Sequence, residues 1–314
     1  MTAPTSLEPQ SSEREPARGP GPVQVPDPGP GRGPELHAPP AGTGLPDAMD
    51  ATAERFRRDG VVHLEGVFAD WVDVLRAGIE RNMASPGPYT REYEPEGSEG
   101  YFFGDYCNWA RIPEYRKFVL CSGAAALAAR LMDSTTARFF HEHVLVKEPR
   151  TESRTPWHHD LPYYCIDGTQ TVSFWTPLDA VPRDVCLELV VGSHRWGKSF
   201  LPRKFIGVDY EREGEALDAI PDIDARRDEF ELASFDMAPG DAIAFHFLTV
   251  HGAPGNASRS ARRRAFAHRW VGDDVRFRVR GGEVSPPFPE VHRRLRDGDP
   301  LDDPEFPLVW PAQG

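Results

Sequence analysis

The chain has 314 residues, 39% hydrophobic and 11% aromatic, enough to bury a large core. Its formal net charge of −13 argues against nucleic acid or an anionic membrane as partner. No run approaches the roughly 20 apolar residues of a membrane helix. The N-terminus shows no apolar signal-peptide core, so the cytoplasm is expected. Cys107, Cys121, Cys165 and Cys186 follow neither C-x-x-C nor small-disulfide spacing and read as reduced thiols.

Residues 1–47 hold 12 of the 32 prolines and almost no large apolar side chain. They cannot offset their ordering entropy and are expected to form a disordered tail before one folded domain, 48–314. Asp50 is placed to cap a helix over Ala51–Asp59, Gly60 stops it, and Val61–Leu64 reads as a strand. Val72, Leu75 and Ile79 give a second helix from Asp70 to about Met83. The stretch 84–108 carries Tyr89, Tyr93, Tyr101, Phe102, Phe103 and Tyr106, which suit either a pocket roof or packing over a core edge. Phe118, Leu127 and Leu131 predict a third helix over Pro113–Met132.

Beyond it the character is β. Phe139–Lys147, Gln170–Leu178, Leu187–Val191, Asp241–His246 and Arg263–Val271 are short apolar or alternating runs parted by turn residues. Without helical periodicity between them they predict a mainly β sandwich or barrel. The charged stretch at about 198–236 is expected to be a lid-like insertion.

Chemistry centres on Trp157-His158-His159-Asp160. In an extended strand His158 and Asp160 share a face and His159 takes the other. With a second imidazole, an H-x-D pair makes the 2-His-1-carboxylate set that leaves open positions on Fe(II). Alone the tripeptide is weak. His251, after the Pro239-Gly240-Asp241 turn and a strand, supplies the second imidazole. His246 is an odd number of residues earlier and faces away. If the metal takes 2-oxoglutarate, its distal carboxylate needs a fork donor, which arginine provides. Of Arg262, Arg263 and Arg264, alternation puts Arg263 with the small Ala265 and Ala267; Arg262 is the alternate.

These residues resemble the phytanoyl-CoA dioxygenase branch of the Fe(II)/2-oxoglutarate-dependent oxygenases. The resemblance runs through Phe140–Pro149, Thr155–Tyr164, Val172–Asp179, Gly192-Ser-His194-Arg-Trp-Gly197, and His251-Gly to Asn256, Arg263-Arg-Ala265 and Arg269–Asp274. It implies a double-stranded β-helix (jelly roll) with supporting N-terminal helices. It also implies His158, Asp160 and His251 as catalytic metal ligands, Arg263 on 2-oxoglutarate, and Lys147 and Trp175 lining the co-substrate pocket. The chain departs from the family pattern at His159 and His143 (glutamines there), at Ala253 (often serine), at Asp184-Val185-Cys186, and in one extra residue before Arg263. His194 belongs to a structural turn.

The resemblance thus implies Fe(II), 2-oxoglutarate and O2 as cofactor and co-substrates, with hydroxylation of a small metabolite and release of succinate and CO2. Asp160 occupies the position that related halogenases leave to chloride, which favours hydroxylation. Desaturation or cyclisation uses the same chemistry. A non-catalytic small-molecule-binding β-helix and a cupin-like metalloenzyme without 2-oxoglutarate are the competing classes. His141, His143, His159, Tyr163 and Tyr164 suggest a polar, ring-lined substrate pocket.

Overall fold

The computed structural model describes residues 45–93, 100–151, 154–203, 210, 212–256 and 258–311. The tail expected over 1–47 lies outside them, except that residues 45–47 already belong to a helix. Helix α1 (Leu45–Asp59) therefore starts before Asp50, whose carboxylate pairs with Arg130 instead of capping. Gly60 ends α1 at φ 74°, where an added Cβ would stand 2.2 Å from His194 Nδ1. Strand β1 (Val61–Leu64) and helix α2 (Val72–Ala84) follow as expected.

The aromatic stretch after α2 is sheet. Strands β2 (Arg91–Tyr93) and β3 (Phe102–Tyr106) pair with each other, and β3 lies along β4 (Ala137–Lys147). The third helix is two, α3 (Pro113–Cys121) and α4 (Ala124–Met132), parted at Gly123 with φ 77°. Then come β5 (Thr155–His158), β6 (Ile166–Asp167), β7 (Thr171–Pro177), β8 (Glu188–Val190) and β9 (Leu232–Ala233). The chain continues through β10 (Ala242–Phe245), β11 (His251–Ala253), β12 (Arg263–Val271), β13 (Arg276–Phe277), α5 (Val291–Arg294) and β14 (Leu308–Trp310).

The major sheet runs β1-β10-β7-β12-β4-β3-β2, with β14 also on β4, and the facing sheet runs β5-β11-β8-β9. All named pairings are antiparallel. This is the mainly β double-stranded β-helix with N-terminal helices that the resemblance implied. Alternation along β12 and β7 separates two cores. Phe266, Trp270 and Phe174 pack with Leu75, Ile79, Phe118 and Leu131 of the helices. Trp175, Ala265 and Ala267 pack with Leu189 of the second sheet and with Leu187 just before it. Phe266 is fully buried, and cutting such a ring to alanine costs about 3–5 kcal/mol. Among the described residues of 198–236, Phe200 and Ile223 pin the insertion against Val190 and Val250. Among the described residues no helix is long and apolar enough to cross a membrane.

Candidate metal and co-substrate site

His158 ends β5 and His251 opens β11, and the two sit opposite one another in the ladder with ring centroids 4.2 Å apart. Asp160 is not in the strand. Its backbone is helical (φ −73°, ψ −40°) ahead of a 3-10 turn over Leu161–Tyr163, so strand alternation is not what brings it beside His158. The Phe247 carbonyl accepts from both the Asp160 and Leu161 amides and holds that turn. Even so, one donor atom each from His158, Asp160 and His251 lies within 4.8 Å of the others. Asp160 Oδ1 is 3.7 Å from His158 Nε2 and 3.9 Å from His251 Nε2.

The donor set fits a metal in its second contacts too. His158 Nδ1 meets the Pro156 carbonyl at 2.8 Å and His251 Nδ1 meets that of Thr249 at 2.9 Å. Each ring thereby donates through Nδ1–H and turns the Nε2 lone pair toward Asp160. Burial, then the neighbouring His158, pulls His251 down to about 3, and burial likewise lowers His158. Both imidazoles are thus neutral, as ligation requires. Burial alone would raise Asp160, but the Arg269 guanidinium overcomes it and, with the Ser173 hydroxyl donating, holds the carboxylate ionised.

Arg269 has no assigned role in the sequence reading, although it shares alternation with Arg263. It is buried, and its Nε lies 3.3 Å from Asp160 Oδ2, which also accepts from Ser173 Oγ at 2.9 Å. Those two donors occupy Oδ2 and leave Oδ1 on the histidine side. Arg269 Nη1 is itself buried without a hydrogen-bond partner. We expect Arg269→Gln to weaken Fe(II) binding about 10- to 100-fold, as losing an outer contact to a ligating carboxylate does. Anaerobic metal titration measures this, and an unchanged affinity would remove Arg269 from the site.

At the other end of β12, Arg263 and Lys147 are ladder partners, both buried. Arg263 donates through Nη1 to the Val185 carbonyl and through Nη2 to that of Pro254 at 3.0 Å. Burial lowers it to about 10, still charged at neutral pH. Lys147 Nζ reaches the Pro254 carbonyl at 3.3 Å and lies 5.0 Å from the Phe102 ring centre. Burial, then Arg263, brings it down to about 6. Trp175 is buried opposite Ala267 on the same inner face. Arg262 instead pairs with Glu80 and Glu148, and Arg264 with Asp179 and Glu80.

The pocket candidates divide. His143 and Tyr163 are half-buried, and Tyr163 stands 5.7 Å from His158, ring to ring. His159 does not join them. It is 2% exposed, accepts the Phe200 amide at 2.9 Å and packs on the Phe200 ring, so it anchors the insertion instead of lining a pocket. His141 and Tyr164 are likewise buried, against Phe140. His194 meets the Arg57 carbonyl.

His246 stands outside the trio, between the Thr169 carbonyl and the Leu248 amide; β10 ends at Phe245, so strand alternation is not what turns it away. Burial lowers it to about 4. Its folded pKa lies below the unfolded value of about 6.5. The stability it contributes is therefore present above 6.5 and lost as pH falls toward 4, at roughly 1.4 kcal/mol per unit. His246→Asn should make the pH dependence of urea-unfolding midpoints over that window less steep by one histidine's share; an unchanged slope would contradict this.

A double-stranded β-helix presenting two imidazoles and a carboxylate to one point is the arrangement found in the Fe(II)/2-oxoglutarate-dependent oxygenase class. The family model for phytanoyl-CoA dioxygenase (PhyH) matches residues 56–265, and the chain belongs to that family. A probable phytanoyl-CoA dioxygenase of Caenorhabditis elegans is 24% identical over 180 residues, 54% of this chain and 51% of that protein. The peroxisomal phytanoyl-CoA dioxygenase of Bos taurus is 27% identical over 170 residues, 52% and 44% of the two chains. The chain thus spans about half the length of the curated relatives it matches. Among solved structures, the non-haem α-ketoglutarate-dependent epimerase SnoN from nogalamycin biosynthesis superposes with TM-score 0.66 and 25% identity, covering 85% of this chain and 98% of SnoN. The carbocyclase SnoK of the same biosynthesis gives 0.63 and 25%, covering 82% and 95%.

Proposed function

We propose that this protein hydroxylates an unactivated C–H bond of a small metabolite, coupled to conversion of 2-oxoglutarate and O2 into succinate and CO2. The observation that carries the reading is the convergence of His158, Asp160 and His251 from a strand end, a turn and a second strand. Those three would hold the ion from one side. Arg263, with Lys147 opposite, would take the far carboxylate of 2-oxoglutarate, and Trp175, Ala265 and Ala267 would wall its chain. Iron with 2-oxoglutarate and O2 supplies the oxidising power for such a step. The residues supply position and dryness: Asp160, His251, Arg263 and Lys147 are all buried. The lid role falls to the described part of 198–236, whose Tyr210 reaches Tyr163 beside His158. Four free cysteines support a reducing compartment, the cytoplasm.

The names of two neighbours favour a second reading of the same site, since SnoN is an epimerase and SnoK a carbocyclase. Hydrogen removal from carbon can end in ring closure or inversion when the substrate is held so. Anaerobic addition of Fe(II) and 2-oxoglutarate should produce a visible absorption band that neither gives alone. In air, succinate release should rise with the correct metabolite. A protein that binds Fe(II) but gives neither band nor succinate with 2-oxoglutarate is a metalloprotein of another kind, and the proposal fails.

A further inference from the structure

Five aromatic side chains from four segments make a circuit beside the metal ligands. His158 meets Tyr163 at 5.7 Å and 82°, and Tyr163 meets Tyr210 of the insertion at 5.5 Å and 81°. On the major sheet Tyr106 and His143 are ladder partners at 5.3 Å and 74°. Ser285 bridges the two arcs: its amide donates to the Tyr163 carbonyl at 2.8 Å and its Oγ lies 3.3 Å from Tyr106 Oη. All five rings are half-buried, whereas Phe102 and Phe103 on the same strand as Tyr106 are 1% exposed. Packing therefore closes over the phenylalanines and leaves the circuit partly open, with one face of Tyr106 covered by Tyr89, stacked on it at 5.3 Å and 7°.

The Tyr163 and Tyr106 hydroxyls already have partners. Tyr163 Oη donates to the Arg203 carbonyl at 2.7 Å and accepts the Arg203 amide at 2.8 Å, and Tyr106 Oη meets Ser285 Oγ at 3.3 Å. The adjoining guanidiniums are committed through part of their donors: Arg269 Nε to Asp160, with Nη1 left over, and Arg212, 5.5 Å from the Tyr210 ring, through Nη1 and Nη2 to the Glu283 and Pro162 carbonyls, with Nε left over. What the circuit offers is ring edges and faces, which suit another ring better than a phosphorylated carrier.

From this arrangement we infer that the site takes a compact, uncharged, ring-bearing organic substrate, gripped by Tyr106 and Tyr210 over the metal ligands. The location rests on the oxygenase reading; the ring circuit does not. The test uses the full chain with Fe(II) and 2-oxoglutarate under anaerobic conditions. It titrates 2-naphthol, methyl β-D-glucopyranoside and octanoyl-CoA, reading calorimetric Kd and the shift of the visible band. At least one ring compound should bind and move the band. Tyr106→Ala and Tyr210→Ala should raise its Kd about tenfold each, and Tyr106→Phe and Tyr210→Phe, which keep the ring, should stay within about twofold of the native chain. A persisting band in the alanine variants shows that their metal site is intact.

The inference is overturned if neither ring compound binds, if octanoyl-CoA binds more tightly than both, or if the alanine variants keep the native Kd. A missing band with tyrosine-dependent ring binding still present would sink the oxygenase reading and leave the ring site standing.

Discussion

Asp160→Ala is expected to lower Fe(II) affinity by at least about 100-fold and to end succinate release altogether. The carboxylate is the one anion of the donor set, and its Oδ1 lies within 4 Å of both imidazoles. Without it two neutral rings remain, with Arg269 directly behind them. That guanidinium is buried, and Asp160 is its ion-pair partner. Removing one member of a buried pair strands the other, at about 3–5 kcal/mol. The variant should therefore also unfold at lower urea concentration, which by itself would blur the metal result. Asp160→Ala combined with Arg269→Met separates the two: stability should recover substantially while Fe(II) affinity does not. Anaerobic Fe(II) titration beside urea unfolding of the three proteins reads both. If Asp160→Ala binds Fe(II) as the native chain does, the trio is not the metal site.

How much of this was legible in the sequence depends on whether a local period or a distant contact sets each residue. Strand β12 keeps a regular register along β7, so Arg263, Ala265 and Ala267 could be turned inward, and Arg264 outward, from sequence alone, with Arg262 just ahead of the strand. The same period exposes Arg269 on the inner face, but its partner Asp160 belongs to a distant turn. Asp160 does lie beside His158, but not by the strand alternation used to put it there. The strand stops at His158, and the turn that aims Asp160 is fixed by the Phe247 carbonyl, which no local pattern encodes. His159 was misread for the same reason, since the Phe200 amide claims it. The break in the third helix had a visible cause in Gly123. Helix α1 carries Pro46 in its first turn, a residue suited to a helix start, but the proline-rich composition before it masked that signal. The rings of 84–108 could not be divided into core and pocket without the pairing of β3 with β4, which buries Phe102 and leaves Tyr106 beside His143.

Arg263→Ala is expected to raise the 2-oxoglutarate half-saturation about 100-fold, the scale of a lost charge-assisted hydrogen bond of roughly 3 kcal/mol. Arg263→Lys should recover little of it, because a single ammonium cannot match both carboxylate oxygens. Arg262→Ala and Arg264→Ala should stay near native, since their side chains are engaged with Glu80, Glu148 and Asp179. Lys147 gives the assignment a second readout. Burial, then Arg263, brings it to about 6, so at neutral pH it is mostly deprotonated before a ligand arrives. A dianion seated between the two would draw a proton onto Lys147. Binding of 2-oxoglutarate at pH 7 should therefore take up close to one proton, measured as the difference in calorimetric heat between buffers of unlike ionisation enthalpy, and Lys147→Met should abolish that uptake. With Arg263→Ala, removal of the neighbouring cation lets Lys147 rise, so proton uptake shrinks along with affinity. Native affinity in Arg263→Ala, together with weakened binding in Arg262→Ala, would move the co-substrate contact one residue along the strand and discard the alternation on which it rests.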